Sequence, residues 1–255
     1  MFVLRGVSVR RAGVPLLSDV NLSIEAGERW VVLGPNGAGK TTLMRILSTY
    51  LVPSAGTVDV LGQRLGRTNV ADLRPRIGYL SPSLAHEIPE QLTPRQVVDA
   101  AQAGALFPWY VAPERMSRER TNAALAQVGL ADVPERPFAT FSSGEQLRIQ
   151  LARALVTDPA ALLLDEPMAS LDIGGREALL ASLERIGAGP IGAMVLVVHR
   201  LEDVPSAGTH AALLRDGRVV AAGPVDEVLR DELMSACFGA PIRVAKSDGG
   251  RWTVR

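Results

Sequence analysis

Gly34-Pro35-Asn36-Gly37-Ala38-Gly39-Lys40-Thr41-Thr42 follows a fixed pattern: a glycine, four residues, a glycine, a lysine, then serine or threonine. That is the pattern of a phosphate-binding loop. Glycines at 34, 37 and 39 allow backbone conformations that a Cβ would block, so successive N–H groups can turn inward on one anion. Lys40 adds a compact ammonium for the outer phosphates, and the Thr41 hydroxyl is suited to Mg²⁺. Around the loop, Arg29-Trp-Val-Val-Leu33 reads as a buried strand and Thr42-Leu-Met-Arg-Ile-Leu47 as a helix whose first turn faces the phosphates. The stretch reads as a nucleoside triphosphate site, against the blander possibility of an idle glycine turn.

Composition narrows the setting. The chain has 255 residues, 47% of them hydrophobic, enough for one large α/β domain or a core with an inserted subdomain. Lys plus Arg and Asp plus Glu both number 27, so no net field favours nucleic acid or an anionic membrane. A lone cysteine, Cys237, forms no internal disulfide and suits the cytosol. No apolar run approaches the ~18–20 residues of a membrane span and no signal peptide opens the chain, so a soluble chain is expected.

Outward from the loop, alternating apolar and polar residues at 2–9 and 16–24 predict antiparallel strands leading into the phosphate strand. Residues 56–63 and 77–80 read as further short strands. From about 83 to 140 prolines and helix-period segments predict a helical insertion in the α/β core, a helical subdomain of about 83–158 once the next helix is included. It includes a helix opened by Thr93-Pro94 and another over 114–128 closed by Gly129. Alternation then returns, with a helix at 144–157, strands at 161–164 and 194–198, a helix at 174–187, and a hairpin joined by Asp216-Gly217. The tail 246–255 is polar and reads as a weak terminal strand or a frayed end.

Two further stations carry chemistry. Leu162-Leu-Leu-Asp-Glu166 puts two carboxylates at the end of a buried strand, where ligands meet open α/β sheets. Asp165 suits Mg²⁺, and Glu166 a base that deprotonates an attacking water. His199 ends the next strand, at the edge where the phosphates should lie. Phe141-Ser142-Ser143-Gly144-Glu145-Gln146 precedes an amphipathic helix. It is either an ordinary capped helix start or itself an anion site, and spacing leaves both open.

In this order the stations resemble the nucleotide-binding subunit of ABC (ATP-binding cassette) transporters, over residues 2–245. The 34–42 stretch resembles the family's Walker A loop, Leu162 to Glu166 its Walker B strand with the catalytic glutamate, and Phe141 to Glu145 its signature. Ala169-Ser-Leu-Asp172 resembles the D-loop and His199 the switch histidine. The resemblance implies a P-loop core with a mixed, largely parallel sheet, an N-terminal antiparallel β subdomain and an inserted α-helical subdomain. It also implies ATP and Mg²⁺ as ligands and a pair of subunits, expected as a homodimer, sandwiching two ATP. There Ser142, Ser143, Gly144 and Glu145 of one copy complete the site on the other, Asp172 is among the nucleotide-binding residues, and Glu166, His199 and Lys40 are catalytic. A separate membrane permease is the implied partner, which places the chain in the cytoplasm, peripheral on the inner face of the membrane. No nucleic acid is expected.

Three departures from the family stand out. An aromatic expected near position 11 for the adenine is replaced by Arg10-Arg11, so Arg11 is the expected base-stacking residue. The expected glutamine after Leu80 is absent from Ser81-Pro82-Ser83. Ser143 replaces a signature glycine. The C-terminal run 223–244 resembles ATPases of metal-chelate and cobalamin importers, and the Ser81-Pro82-Ser83 variant resembles molybdenum-related homologues. The alternative function is a soluble ATPase of this family that regulates another process without a permease; a third is a non-hydrolytic, nucleotide-gated binding module. Phe107-Pro-Trp-Tyr110 reads as a small local core, with a permease contact surface as the alternative.

Overall fold

A computed structural model of the chain describes residues 1–105, 116–247 and 249–255. The Phe107–Tyr110 aromatic cluster and the first residues of the helix expected over 114–128 lie outside them. The first half of the chain runs β1 (Phe2–Arg11), β2 (Val14–Ile24), β3 (Arg29–Leu33), α1 (Lys40–Leu47), β4 (Ala55–Val60), β5 (Gln63–Arg64), α2 (Val70–Leu73), β6 (Ile77–Leu80), α3 (Pro82–Ala85), α4 (Pro94–Ala101) and α5 (Arg118–Gln127). Then follow α6 (Ser143–Leu155), β7 (Ala161–Asp165), α7 (Ile173–Gly187), β8 (Ala193–Val197), β9 (His210–Arg215), β10 (Arg218–Pro224), α8 (Val225–Val228), α9 (Asp231–Phe238), β11 (Val244–Lys246) and β12 (Trp252–Val254).

Strands β2-β1-β4-β5 form an antiparallel sheet, and β10-β9-β3-β8-β7-β6 a mixed one. Within the mixed sheet β9, β3, β8, β7 and β6 run parallel, and β10 returns antiparallel to β9. A parallel sheet is covered on both faces, so its strands read as continuous apolar runs whose side chains part to either side. Trp30, Val32, Leu163, Val195 and Val197 point into one core, shared with α1 and the antiparallel sheet. Val31, Leu33, Leu162, Leu164 and Leu196 point into the other, beneath α6 and α7. The phosphate helix α1 is thus held between the two sheets by Leu43, Met44, Ile46 and Leu47.

Between β6 and β7 the described chain is helical and has a third core of its own, including Val97, Val98, Leu125, Phe138 and Ile149. Helix α6 serves two cores at once: Leu147, Leu151 and Leu155 face the second, Ile149 and Ala152, with Val156 just after the helix, the third. Its two stripes at helical spacing tie the insertion to the sheet. Helix α4 opens with a capping box of Thr93 and Gln96, with Pro94 in its first turn.

The C-terminal tail takes the terminal-strand alternative of its sequence reading, and what that reading does not contain is its docking. Strand β12 pairs with β11, and Trp252 is buried in the second core. Arg251 reaches Glu177 on α7 through two nitrogens, at 2.9 and 2.5 Å. One large aromatic side chain, invisible to an average over ten polar residues, docks the end of the chain.

Candidate functional site

Strands β3, β7 and β8 are parallel neighbours, with Val32 and Asp165 both level with Val197. Their C-terminal ends therefore bring the residues after each strand to one edge: Gly34, Glu166 and His199. The 34–42 loop leaves β3 there and α1 begins at Lys40, capped by Gly39 in the left-handed region at φ 100° with no side-chain cap. Backbone N–H groups of the first turn are left for an anion. Two glycines are obligatory. A Cβ at Gly34 would lie 2.0 Å from the Leu214 carbonyl oxygen, and one at Gly39 2.8 Å from that of Leu16.

Lys40 is buried, and its Nζ donates to the carbonyl oxygens of Gly34 at 2.9 Å and Pro35 at 3.1 Å. Burial pulls its pKa down, opposed by the charges of Glu166 and Asp165. Asp165 is also buried, and burial pushes its carboxyl up to about 6. The Glu166 charge adds to that rise, while a hydrogen bond from Thr41 and the charge of Lys40 oppose it. Its Oδ1 has no hydrogen-bond partner. A buried carboxylate oxygen without a donor, next to a hydroxyl, is a donor set that suits a hard cation.

Glu166 takes φ 52°, in the left-handed region that a side chain rarely adopts. Such strain concentrates at working sites. His199 Nε2 stands 2.7 Å from Glu166 Oε1, so the strand ends place two of the three expected catalytic side chains in contact.

The remaining expected residues lie apart. Ser142 caps α6 in a capping box with Glu145, whose Oε2 accepts from the Ser142 N–H at 2.9 Å and its hydroxyl at 2.8 Å. The Ser142 N–H bond leads the causes that hold the Glu145 carboxyl below its usual range. Ser143 donates to the Ser170 carbonyl at 3.4 Å. Asp172 caps α7 by accepting from the Gly175 N–H at 2.7 Å. Among the described residues no hydrogen bond or ion pair joins 142–145 or Asp172 to the 34–42 loop. Arg11 ends β1 opposite Val14, exposed and with no side-chain hydrogen bond or ion pair among the described residues. Where a glutamine is expected, Ser81 is buried and caps α3, accepting from the Leu84 N–H at 3.1 Å.

Two supports escape a reading of the sequence. Arg176 in α7 donates to the Met168 carbonyl at 3.4 Å and to Asp203 at 3.2 Å, tying the segment after Glu166 to the segment after His199. Nothing but its place one turn beyond Asp172 marks it. The Asp216-Gly217 turn reads in sequence as a hairpin and no more. Both residues have positive φ, at 50° and 73°, as a tight two-residue turn requires. Gly217 donates to the Ala38 carbonyl at 3.1 Å and accepts from Ser18 at 2.8 Å, stitching the phosphate loop to the rim of both sheets.

The sequence model of the family described as "ABC transporter" matches residues 17–169. An uncharacterized ABC transporter ATP-binding protein, YlmA of Bacillus subtilis (strain 168), is 35% identical over 94% of this chain and 92% of its own length. The hemin import ATP-binding protein HmuV of Rhodococcus jostii (strain RHA1) is 34% identical over 94% of this chain and 80% of its own. Among solved structures, a dimeric ATP-binding cassette in a post-hydrolysis state bound to ADP and Pi superposes with a TM-score of 0.75. It is 25% identical and covers 88% of this chain and 99% of its own. With the strand ends, loop and helices arranged as above, the chain belongs to the ABC transporter family as an ATP-binding, ATP-hydrolysing subunit.

Proposed function

We propose that residues Gly34 to Thr42 cradle the triphosphate of ATP on backbone N–H groups, with Lys40 turning from the Gly34 and Pro35 carbonyls to the outer phosphates. The observation that carries this is the meeting of Lys40, Thr41, Asp165, Glu166 and His199 at one edge of the mixed sheet. Thr41 and Asp165 would hold Mg²⁺, an ion that supplies charge neutralisation on the phosphates when bound. Glu166 accepts the proton of the attacking water, and His199, 2.7 Å away, orients that carboxylate and the terminal phosphate.

In this reading Ser142, Ser143, Gly144, Glu145 and Asp172 act on the ATP of a second copy. Their lack of any link to their own phosphate loop supports that. Arg11 stacks on the base. The pair of subunits drives a separate membrane permease from the cytoplasmic face. Among the described residues no helix is long and apolar enough to cross a membrane, which fits an ATPase that works through a membrane partner. Import is the direction we assign, since the hemin relative is named for import. Phosphate release from the purified chain tests the chemistry. Steady release that falls at least ~100-fold in Glu166→Gln is expected, and a variant that keeps the wild-type rate would overturn the role given to Glu166. Capture of a membrane protein with the chain tests the permease; only soluble partners would overturn it.

A further inference from the structure

Five buried side-chain atoms among the described residues lack a hydrogen-bond partner: Thr49 Oγ1, Arg74 Nε, Tyr79 Oη, Arg153 Nε and Asp165 Oδ1. Buried polar groups are nearly always paired, so each exception calls for a reason. Asp165 belongs to the site above. Arg74, Tyr79 and Arg153 line one cavity of about 20 Å³, with Ser48 and Tyr50, and Thr49 stands between those last two in the chain. The cavity lies where the end of α1, strand β6 and helices α4 and α6 meet.

The chemistry of its wall is one-sided. Arg153 is 6% exposed. It donates to the Ala105 carbonyl at 3.0 Å, and Tyr50 is its other partner. Among the described residues no carboxylate acts on it, and burial pulls its pKa down. Arg74 donates to the Thr49 carbonyl at 3.4 Å and lies 4.4 Å over the Tyr50 ring. Burial pushes the Tyr79 phenol up to about 12, against the lowering effect of Ser81, so Tyr79 remains a donor at neutral pH. Among the described residues no Asp or Glu lines the cavity. The buried Arg153 and the half-buried Arg74, whose Nε is itself sealed from solvent, thus face one space without a counter-charge among the described residues, an arrangement that costs free energy until an anion enters.

The wall is rigid. A Cβ on Gly78 would meet the Ala154 carbonyl oxygen at 2.3 Å, so β6 lies directly on α6, and Gly104 backs onto Arg74. Size decides the ligand. About 20 Å³ admits one particle the size of a water molecule, which excludes phosphate and carboxylic acids. A water would satisfy some donors and leave both charges uncompensated. We propose that this cavity binds a monoatomic anion of the chloride class, held between the Nε–H groups of Arg74 and Arg153. It would brace the helical segment against the end of the phosphate helix.

The test uses the purified full chain. Replacing gluconate with chloride at constant ionic strength should raise the melting temperature by about 3 °C. A crystal soaked in bromide should show an anomalous peak between Arg74 and Arg153. Arg74→Met should remove both effects while the more deeply buried Arg153 stays in place. No peak, or an equal chloride response in wild type and Arg74→Met, would overturn the proposal. So would a peak without a change in melting temperature, which means an adventitious ion only, or a carboxylate of the chain itself found in the cavity.

Discussion

Asp165 shows how single residues at this site work against stability. Its folded pKa of about 6 stands above the ordinary 3.8, chiefly through burial. In metal-free protein its contribution is therefore full below pH ~4 and is lost as pH rises through about 6. At pH 7.5 the loss is at most about 3 kcal/mol. Urea unfolding in EDTA should record that decline, and Asp165→Asn should flatten it. Gly39→Ala is expected to abolish ATP retention in a filter assay, because its Cβ would crowd the Leu16 carbonyl at 2.8 Å and φ is 100°. Residues of this kind are legible in a sequence because their chemistry demands one residue type at one spacing. Arg176 is not legible: an arginine that ties two loops looks the same in sequence as one in solvent.

At the level of elements, α6 and the C-terminal hairpin make a contrast. The start of α6 is readable as a cap whatever its second role, and the capping box fulfils it. Ser142→Ala should cost about 1 kcal/mol in chemical denaturation. Glu145→Gln keeps a side-chain acceptor for the Ser142 N–H and should change stability by under ~1 kcal/mol. Strand β12 is barely readable, since three residues carry too little periodicity and the apolar part of the docking comes from one ring, Trp252. With that ring 6% exposed, Trp252→Ala should cost about 3–5 kcal/mol by the same measurement. The Ser81-Pro82-Ser83 departure resolves locally: Ser81 caps a one-turn helix, a role the expected glutamine would not fill.

Across the whole molecule, the residues proposed to act on a neighbour's nucleotide, 142–145 and Asp172, make no hydrogen bond or ion pair to their own 34–42 loop among the described residues. Glu166→Gln protein with Mg²⁺ and ATP should therefore elute as a two-chain species in size-exclusion chromatography, and as one chain without nucleotide. A monomer that retains no ATP would refute the paired arrangement. The bond from Gly217 to Ala38 sets a timetable as well. Strand β3 has β8 and β9 as its neighbours, so the loop at 34–42 is among the early parts to leave a ribosome and among the last to be finished. A nascent chain halted near residue 205 would carry the entire glycine-rich sequence without the walls that shape it, and ATP would find nothing to grip until the final fifth had emerged.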